Sequence, residues 1–459
     1  MRTLEILLPL LLAAYLAWPS PRPIAIRLLP LLAVATAILH AAVELMRWQM
    51  IPLYAIAVVL SLVSAAFIRS KRDIARSASI PLLVVLALST AVPALLPVPA
   101  ISATAGAWKV GTRSFELVDP SRREIYSGKD EARRFMLKVW YPAEPRSTDA
   151  KSPWMADAKV FAPAIATFMG LPPFFLDHLA LVSVPAYRDA PAAMKAGGFP
   201  LLLFSHGWKG FDAQNTGQAL LLASRGYVVA AVQHSYGAVV TVFPDGSIAE
   251  NNPSALPEGK PTEEYEVAAR RLVDQWSGDL SFALDSMLAR SADPSSPFAG
   301  LVDGSCVGAW GHSTGGGAVI QFAATDSRCK AVLGMDPFMR PVATAVLDGG
   351  LAQPSFFLFS QRWADDTGSR NNALFNRFIP HAAACLGSVS IRGTDHFDFS
   401  DLPLLTPLAP LLGLKGPLPG KRVTTIVGDY LLSFFERTLK GEPSPLLSGP
   451  SPYAEVRKR

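Results

Sequence analysis

The eight residues Trp310-Gly311-His312-Ser313-Thr314-Gly315-Gly316-Gly317 constrain this chain more than any other stretch. They read G-x-S-x-G between two apolar runs, Val307–Trp310 and Ala318–Ala324. The first run suits a buried strand and the second a helix packed on a sheet. A strand that passes into a helix across one serine must turn tightly, and the turn holds that serine in a strained backbone conformation. Small neighbours are needed because the helix crosses close to the strand, and Gly311 and Gly315 supply them. The hydroxyl of Ser313 is then expected at the carboxyl edge of a sheet. The N-terminus of the following helix is aimed at any negative charge that develops there. A glycine-rich loop that merely contains a serine is the alternative, and the flanking strand and helix favour the nucleophile.

The apolar residues divide the chain. The sequence has 459 residues, 50% of them hydrophobic and 17% charged, against about 25% charged in ordinary soluble domains. Most of the excess lies in residues 1–101, in four segments: Ile6–Trp18, Leu28–Val43, Met50–Ile68 and Ile80–Ile101, of 13, 16, 19 and 22 residues. The last two are long enough to cross a hydrocarbon core of about 30 Å as helices. The second spans if Arg27 and Glu44 snorkel to the headgroups. The first is marginal in length, and Pro19–Pro23 lacks the small-residue pattern of a signal-peptide cleavage site. An all-α transmembrane region of about four helices over residues 1–101 is the expectation, in a multi-pass protein of the cell membrane. Arg69, Lys71, Arg72 and Arg76 lie between the third and fourth segments, and Arg22 and Arg27 between the first and second. Arg2 and Arg47 stand alone on the other side. This bias puts the Arg69–Arg76 loop in the cytoplasm and the domain after the fourth span on the non-cytoplasmic side. Spans without a central charged residue argue against a transporter.

Net charge is +5 with no long basic run, which excludes nucleic acid as a partner. Cys306, Cys329 and Cys385 are too few for a disulfide scaffold and lack zinc-ligand spacing. Cys306 and Cys329 each precede a candidate site residue by seven positions, at the start of strands expected to be neighbours. An oxidising compartment would permit a disulfide between them.

Residues 102–459 are enough for one large α/β domain. Ser102–Ala107 reads as a linker, Phe115–Val118 and Phe135–Tyr141 as strands, and Arg122–Arg134 as a charged surface turn. Trp154–Val184 is apolar and broken at Pro172-Pro173, which suits short helices at a site mouth or ordinary core filling. Pro200–Phe204 is a buried strand that runs into Ser205-His206-Gly207-Trp208. In α/β-hydrolases a loop at this place donates the second N–H of the oxyanion hole. The expected hole is the backbone N–H of Trp208 with that of Thr314, each worth about 3–4 kcal/mol to a tetrahedral oxyanion. His206 is expected to hold this loop by hydrogen bonds rather than to act as a base. Gln214–Arg225 reads as a helix closed by Gly226, Tyr227–Gln233 as a strand with His234 as its polar end, and Glu263–Arg290 as a long helix. Leu402–Gly420 is either a core-covering loop or an apolar lip that faces lipid. Thr424–Leu439 is an amphipathic helix, and residues 441–459 are expected to fray.

Partners of the serine should follow it in the order acid, then histidine. Val332–Met335 is a strand ending in Asp336-Pro337. Phe356–Phe359 is the next, with Asp365-Asp366 shortly after it. Val389–Ile391 is the last, ending in Arg392-Gly393-Thr394-Asp395-His396. Asp336 and Asp365 or Asp366 compete for the acid. His396 alone stands where the base belongs, since His381 falls in a Pro-led helix start at the surface. Asp395, Asp398 and Asp401 surround one histidine without a second ligand group, so no metal site is expected.

These pieces together resemble the α/β-hydrolases of the platelet-activating factor acetylhydrolase family, the type shared by the plasma and intracellular type II enzymes. The matching stretches are Val139-Trp140-Tyr141-Pro142, Phe204-Ser205-His206-Gly207, Gly311 to Gly316 with Val319-Ile320-Gln321, Met335-Asp336, Ile391-Arg392-Gly393 leading to His396, and Leu414-Lys415-Gly416. They keep the family's order from about residue 110 to 440. The resemblance implies a doubly wound, mostly parallel sheet, hydrolysis of short acyl esters in lipid degradation, no cofactor, and Asp336 rather than Asp365 as the acid. Thr314 departs from the phenylalanine of the animal enzymes and changes a wall of the acyl pocket. The four N-terminal segments lie outside the resemblance.

The combined expectation is a membrane-anchored serine esterase, with Ser313 as nucleophile, His396 as base and Asp336 as its orienting acid. Its partners are a small ester or phospholipid substrate and the lipid bilayer. A peptidase or thioesterase could use the same three residues. A non-catalytic membrane protein with a hydrolase-like domain is the rival of a different class.

Overall fold

A computed structural model describes residues 1–70, 72–101 and 106–459. Lys71 of the basic loop and residues 102–105 of the linker lie outside the described residues. The chain forms two compact units. One comprises Met1–Pro99, Phe174–Val182 and Leu405–Leu408, and the other comprises Ala100–Pro173, Ser183–Leu404 and Ala409–Arg459.

The smaller unit is helical. Among the described residues, three of its helical stretches are long and apolar enough to cross a membrane: Ile24–Leu45, Trp48–Ser70 and Arg76–Leu95. The first segment forms the shorter helix Thr3–Ala17. The fourth helix stops at Leu95, short of Ile101, because Pro97 and Pro99 follow and cannot continue it. Leu8, Leu12, Leu53, Ala57, Leu60 and Leu86 make the unit's core. Many of its larger apolar side chains point outward, with Leu62 68% and Leu88 66% exposed.

Among the described residues, the larger unit is built on thirteen strands. They are β1 (Lys109–Arg123), β2 (Ala132–Ala143), β3 (Lys151–Pro153), β4 (Ser183–Arg188), β5 (Phe199–Ser205), β6 (Val228–Gln233), β7 (Val240–Val242), β8 (Ile248–Glu250), β9 (Val302–His312), β10 (Cys329–Met335), β11 (Ser355–Ser360), β12 (Cys385–Ile391) and β13 (Val456–Lys458). Eleven form one sheet in the order β13-β12-β11-β10-β9-β5-β6-β2-β1-β4-β3, and β7 and β8 form a separate hairpin. The run from β6 through β5 and β9 to β12 is parallel. β5 and β6 read as continuous apolar runs because both faces of a parallel sheet are covered. On one face Leu201 and Leu203 share a core with Leu272 and Trp276 of the helix Thr262–Ala292. On the other, Phe356 stacks on Tyr430 of the helix Gly420–Leu439 at 5.6 Å.

The chain winds from β5 outward to β6, then crosses back to β9 on the other side of β5. The reversal falls at the carboxyl ends of β5 and β9, the switch point where ligands of open α/β sheets bind. Register places Ser205 opposite Gly311 and His312 opposite Met335, so the three strand ends are level.

Two expectations about this unit are corrected. Residues 441–459 do not fray throughout. Val456–Lys458 pairs antiparallel with β12, the Arg459 N–H donates to Ser388 O at 2.9 Å, and the Arg459 guanidinium lies over the Phe359 ring. The Arg122–Arg134 stretch is not wholly a surface turn either. Arg133 is fully buried at the start of β2, where it pairs with Glu124 at 2.5 Å and with Asp279, far along the chain, at 2.6 Å.

Candidate active site

Ser313 joins β9 to the helix Thr314–Thr325 with φ 57° and ψ −121°. Left-handed backbone at a residue with a Cβ costs about 1–3 kcal/mol and is held only where the surroundings dictate it. Here the Ser313 N–H donates to Met335 O at 3.0 Å, and Ser313 O accepts from Phe338 N–H at 2.9 Å. The glycines serve close approach. A Cβ on Gly311 would strike the backbone of Gly315, and one on Gly315 would strike the carbonyls of Ser205 and His206. The motif's small residues therefore press the elbow against both neighbouring strand ends.

Asp336 follows β10 with φ 41° and is fully buried. Its Oδ2 accepts from His396 Nδ1 at 3.0 Å and from Ser360 Oγ at 2.6 Å, and its Oδ1 accepts from Ser360 N–H at 2.8 Å. Burial pushes the Asp336 carboxyl up to about 7, against the two Ser360 hydrogen bonds, which lower it. Burial pushes His396 down to about 4, so the resting imidazole is neutral and free to accept a proton. Asp365 is exposed and accepts from Gln361 Nε2 at 3.1 Å, and Asp366 is exposed as well. Of the competing acids, the fold brings Asp336 to the histidine.

The His396 ring is held on both faces. The Trp363 indole stacks on it at 4.5 Å and 4°, and the His312 ring lies 4.5 Å away at 35°. His312 Nε2–H donates to His396 O at 2.9 Å, while its Nδ1 accepts from Gln214 at 3.2 Å. Asp395, Asp398 and Asp401 spend their carboxylates on the loop itself. Asp395 accepts from His396 N–H at 2.7 Å, Asp398 from the N–H groups of Asp395 and Gly416, and Asp401 from Gly217 N–H. Ser360, Trp363 and Gln214 escaped sequence reasoning, because no local spacing marks them, and His312 stands inside the serine motif without any sign there that it packs on His396. The Ser360 position at a strand end was the one available signal.

The loop after β5 lies against the elbow. A Cβ built on Gly207 would stand 3.2 Å from the Ser313 Cβ. The Trp208 N–H has no backbone acceptor among the described residues, and the Thr314 N–H is an orphan donor at the first helical position. His206 holds this loop, with Nδ1 2.7 Å from Gly207 O. His234 is more than a polar strand end, because it is fully buried and bonded to Ser205 and Asp279. His381 is exposed.

The Cys306–Cys329 disulfide is corrected: both thiols are free. Cys329 sits opposite Val307, so alternation along β9 turns Cys306 to the other face of the sheet. Among the described residues, Glu5, His40 and Glu44 are grouped closely enough to hold a cation, in the N-terminal unit. Arg2 and Arg47 already occupy the Glu5 carboxylate there.

A family model described as platelet-activating factor acetylhydrolase, isoform II, matches residues 98–442. The platelet-activating factor acetylhydrolase of Cavia porcellus is 27% identical over 343 residues, covering 69% of this chain and 75% of that protein. A probable 1-alkyl-2-acetylglycerophosphocholine esterase of Arthroderma benhamiae is 27% identical over 411 residues, covering 82% of this chain and 96% of that one. Among solved structures, a ferulic acid esterase from Streptomyces cinnamoneus superposes with a TM-score of 0.64 at 27% identity, covering 79% of this chain and 99% of that one. With a strained serine elbow, a histidine bonded to a buried acid and a family match across ten of the sheet's eleven strands, the chain belongs to the platelet-activating factor acetylhydrolase isoform II family and is a serine-type acyl ester hydrolase.

Proposed function

We propose that this enzyme removes a short acyl group from a phospholipid-like ester held at a membrane surface, with Ser313, His396 and Asp336 as its catalytic residues. The observation that carries the reading is the His396–Asp336 hydrogen bond, formed across two crossover connections beside a serine in left-handed backbone. Ser313 Oγ attacks the ester carbonyl while His396 Nε2 takes its proton. Asp336 holds Nδ1–H, which leaves Nε2 as the basic nitrogen, and stabilises the imidazolium that forms. The tetrahedral oxygen is met by the N–H groups of Trp208 and Thr314. Collapse expels the alcohol, which takes the proton from His396. Water, activated by the same imidazole, then frees the acyl group from Ser313.

The names of the relatives support a phospholipid-like substrate with a small acyl group. On this reading Trp208 beside the hole crowds the acyl side and favours acetyl to butyryl. Each methylene in an apolar pocket changes binding by about 1–3 kcal/mol, so a size limit should be visible. The four N-terminal helices would keep the domain beside the bilayer, where such esters concentrate. Within Leu402–Gly420, Leu405 and Ala409 are buried as a core-covering loop requires, and Leu411, 85% exposed, with its neighbour Leu412 would be the part that faces lipid.

The test uses the full-length protein in detergent. kcat/KM is measured on p-nitrophenyl acetate, butyrate, octanoate and palmitate, then on short-acyl against long-acyl phospholipids. A fall beyond butyrate is expected, with cleavage of the short-acyl phospholipid. A rise through palmitate would overturn the short-acyl reading, and inactivity on every phospholipid would overturn the lipid reading. Ser313→Ala should abolish fluorophosphonate labelling and reduce turnover by about 10⁶-fold, as for other serine-hydrolase triads.

A further inference from the structure

A second serine–histidine–aspartate set lies behind the loop that carries Trp208. Ser205 Oγ is 2.9 Å from His234 Nε2, and His234 Nδ1 is 2.9 Å from Asp279 Oδ2. The three residues are buried, so no substrate reaches the hydroxyl. The set is also locked. Arg133 bonds Asp279 at 3.0 and 2.6 Å, Arg122 bonds it at 2.9 Å, and the His234 ring lies flat on Trp276 at 4.1 Å. Geometry that elsewhere activates a nucleophile must serve another purpose here.

The bonds define every proton. His234 Nδ1 faces a carboxylate and therefore carries hydrogen, which leaves Nε2 to accept from Ser205 Oγ–H. The backbone N–H of His234 donates to His206 Nε2 at 3.2 Å. His206 must then carry its proton on Nδ1, and that N–H donates to Gly207 O at 2.7 Å. Burial pushes both imidazoles well down, His234 to about 4, so each stays neutral and keeps its tautomer.

The Gly207 carbonyl belongs to the same peptide unit as the Trp208 N–H. In a planar trans peptide the two point in opposite directions. Whatever fixes the oxygen on one side aims the N–H on the other. This peptide needs fixing, because its first residue is glycine. A Cβ there would press on the Ser313 Cβ at 3.2 Å and on the His312 ring at 3.3 Å. The glycine that permits the close approach also leaves the peptide free to flip. Its neighbours Lys209 and Tyr236 have φ of 56° and 66°, and the two segments are tied by Lys209 N–H to Gly237 O and Val239 N–H to Gly210 O, each 2.9 Å. Gly207 O accepts a second bond, from Gly210 N–H at 2.9 Å, which closes the turn. The imidazole is the side-chain donor to this carbonyl, and through its Nε2 it links the peptide to the His234 backbone.

We propose that Ser205, His234 and Asp279 act through His206 as positioning residues that aim the Trp208 N–H at the tetrahedral oxygen. The inference rests on the reading of Trp208 as an oxyanion donor and of Ser313 as nucleophile. It makes a buried copy of the catalytic arrangement the support for the oxyanion hole. A hydrogen bond on the carbonyl also polarises the peptide and strengthens its N–H as a donor.

The test compares the wild type with His206→Ala, His206→Asn and Ser205→Ala in the full-length protein. The asparagine amide nitrogen can take the place of imidazole Nδ1. Readouts are kcat and KM on p-nitrophenyl acetate, the Ki of a trifluoromethyl ketone that becomes an oxyanion on Ser313, and the melting temperature. His206→Ala should lower kcat by about tenfold or more with KM within about twofold, and weaken the ketone by the same factor as kcat. His206→Asn should recover most of both losses. In Ser205→Ala, kcat and ketone affinity should fall together by a smaller factor. The inference is overturned if His206→Asn is no better than His206→Ala, or if the variants lose melting temperature while kcat and ketone affinity stay at wild-type values. If His206→Ala does not fold, an unchanged kcat and ketone affinity in folded Ser205→Ala overturns it. Failure of the ketone to inhibit the wild type would instead bring down the nucleophile assignment, which keeps the two failures apart.

Discussion

Ser313 and His396 announce themselves in the sequence through local pattern, but Asp336 does not. Two acidic positions follow consecutive strands, and only the resemblance favoured the first. The structure supplies the physical reason, because Asp336 meets His396 Nδ1 while Asp365 stands in solvent. Asp336→Asn should therefore cut kcat by about 10⁴-fold through loss of the histidine tautomer, whereas Asp365→Asn should stay within about twofold, as exposed substitutions do. The reverse order in a side-by-side kinetic comparison would move the acid to the later strand. Ser360 and Trp363 were invisible because their meaning depends on partners brought by the fold. Ser360 Oγ donates to Asp336 and accepts from Trp363 N–H at 3.3 Å, so one hydroxyl ties the acid to the indole that covers the base. Stacked indole favours an imidazolium over a neutral ring by about 0.5–2 kcal/mol. The base must be neutral to act, so activity is lost as pH falls through the apparent pKa of the His396–Asp336 pair. Burial lowers His396, which places this acid limb below the ordinary 6.5. Trp363→Leu should move the limb lower still and reduce kcat by about 3–10-fold, the factor expected for losing that stacking. A limb that rises in Trp363→Leu would exclude stabilisation of the cation.

Elements were legible where burial is two-sided. β5, β6 and β11 are buried along their whole length and largely apolar, β9 and β10 are so over their carboxyl ends, and the helix Gly420–Leu439 that covers one face is amphipathic. β13 was not legible, because Val456-Arg457-Lys458 has the polar composition of an edge and gains its order from β12 alone. β1 was longer than expected for a related reason. Lys109–Arg123 is held along nearly its whole length by β2, which overrides a mixed polar sequence. β13 matters to the site through one further bond. The Arg392 N–H donates to Glu455 O at 2.8 Å, just before the turn that leads to His396. Deletion of residues 455–459 should uncover the edge of β12 and remove the Arg459 contacts with Ser388 and Phe359. A loss of about 1–3 kcal/mol is expected, read as a lowered melting temperature. kcat should fall more than KM rises, because the loop that carries the base is loosened. An unchanged melting temperature and kcat would show that the terminal strand is ornamental.

The N-terminal unit inverts the usual distribution of polarity, and this supports the proposed membrane placement. Large apolar side chains face outward, while charged groups gather inside at the two ends of the helices. At one end Arg22 pairs with Asp73 at 2.7 Å, Arg27 with Asp73 at 3.6 Å, and Arg22 also reaches Ser79. At the other, Glu5 accepts from Arg2 at 2.8 Å and from Arg47 at 2.7 Å, with His40 and Glu44 alongside. Between the ends, the helix Ile51–Ser70 carries no charge until Arg69. Such a pattern is costly in water and natural in a bilayer, where charges retreat to the headgroup levels. The basic residues left over set direction. Arg69, Arg72 and Arg76 lie on the same side as Arg22 and Arg27, against Arg2 and Arg47 opposite, and we propose on this bias that the richer side faces the cytoplasm. The helix Arg76–Leu95 starts on that side, so in this proposal the chain that follows it would emerge on the other. A bacterial host provides the check. Alkaline phosphatase fused after Arg459 folds only outside the cytoplasm, whereas a green fluorescent protein exported in unfolded form stays dark. An active phosphatase fusion and a dark fluorescent fusion are expected. Replacing Arg69, Arg72 and Arg76 by glutamine should lower phosphatase activity, since the bias that sets direction is then gone. A bright fluorescent fusion with an inactive phosphatase would put the ester hydrolase inside the cell and its substrate in the inner leaflet.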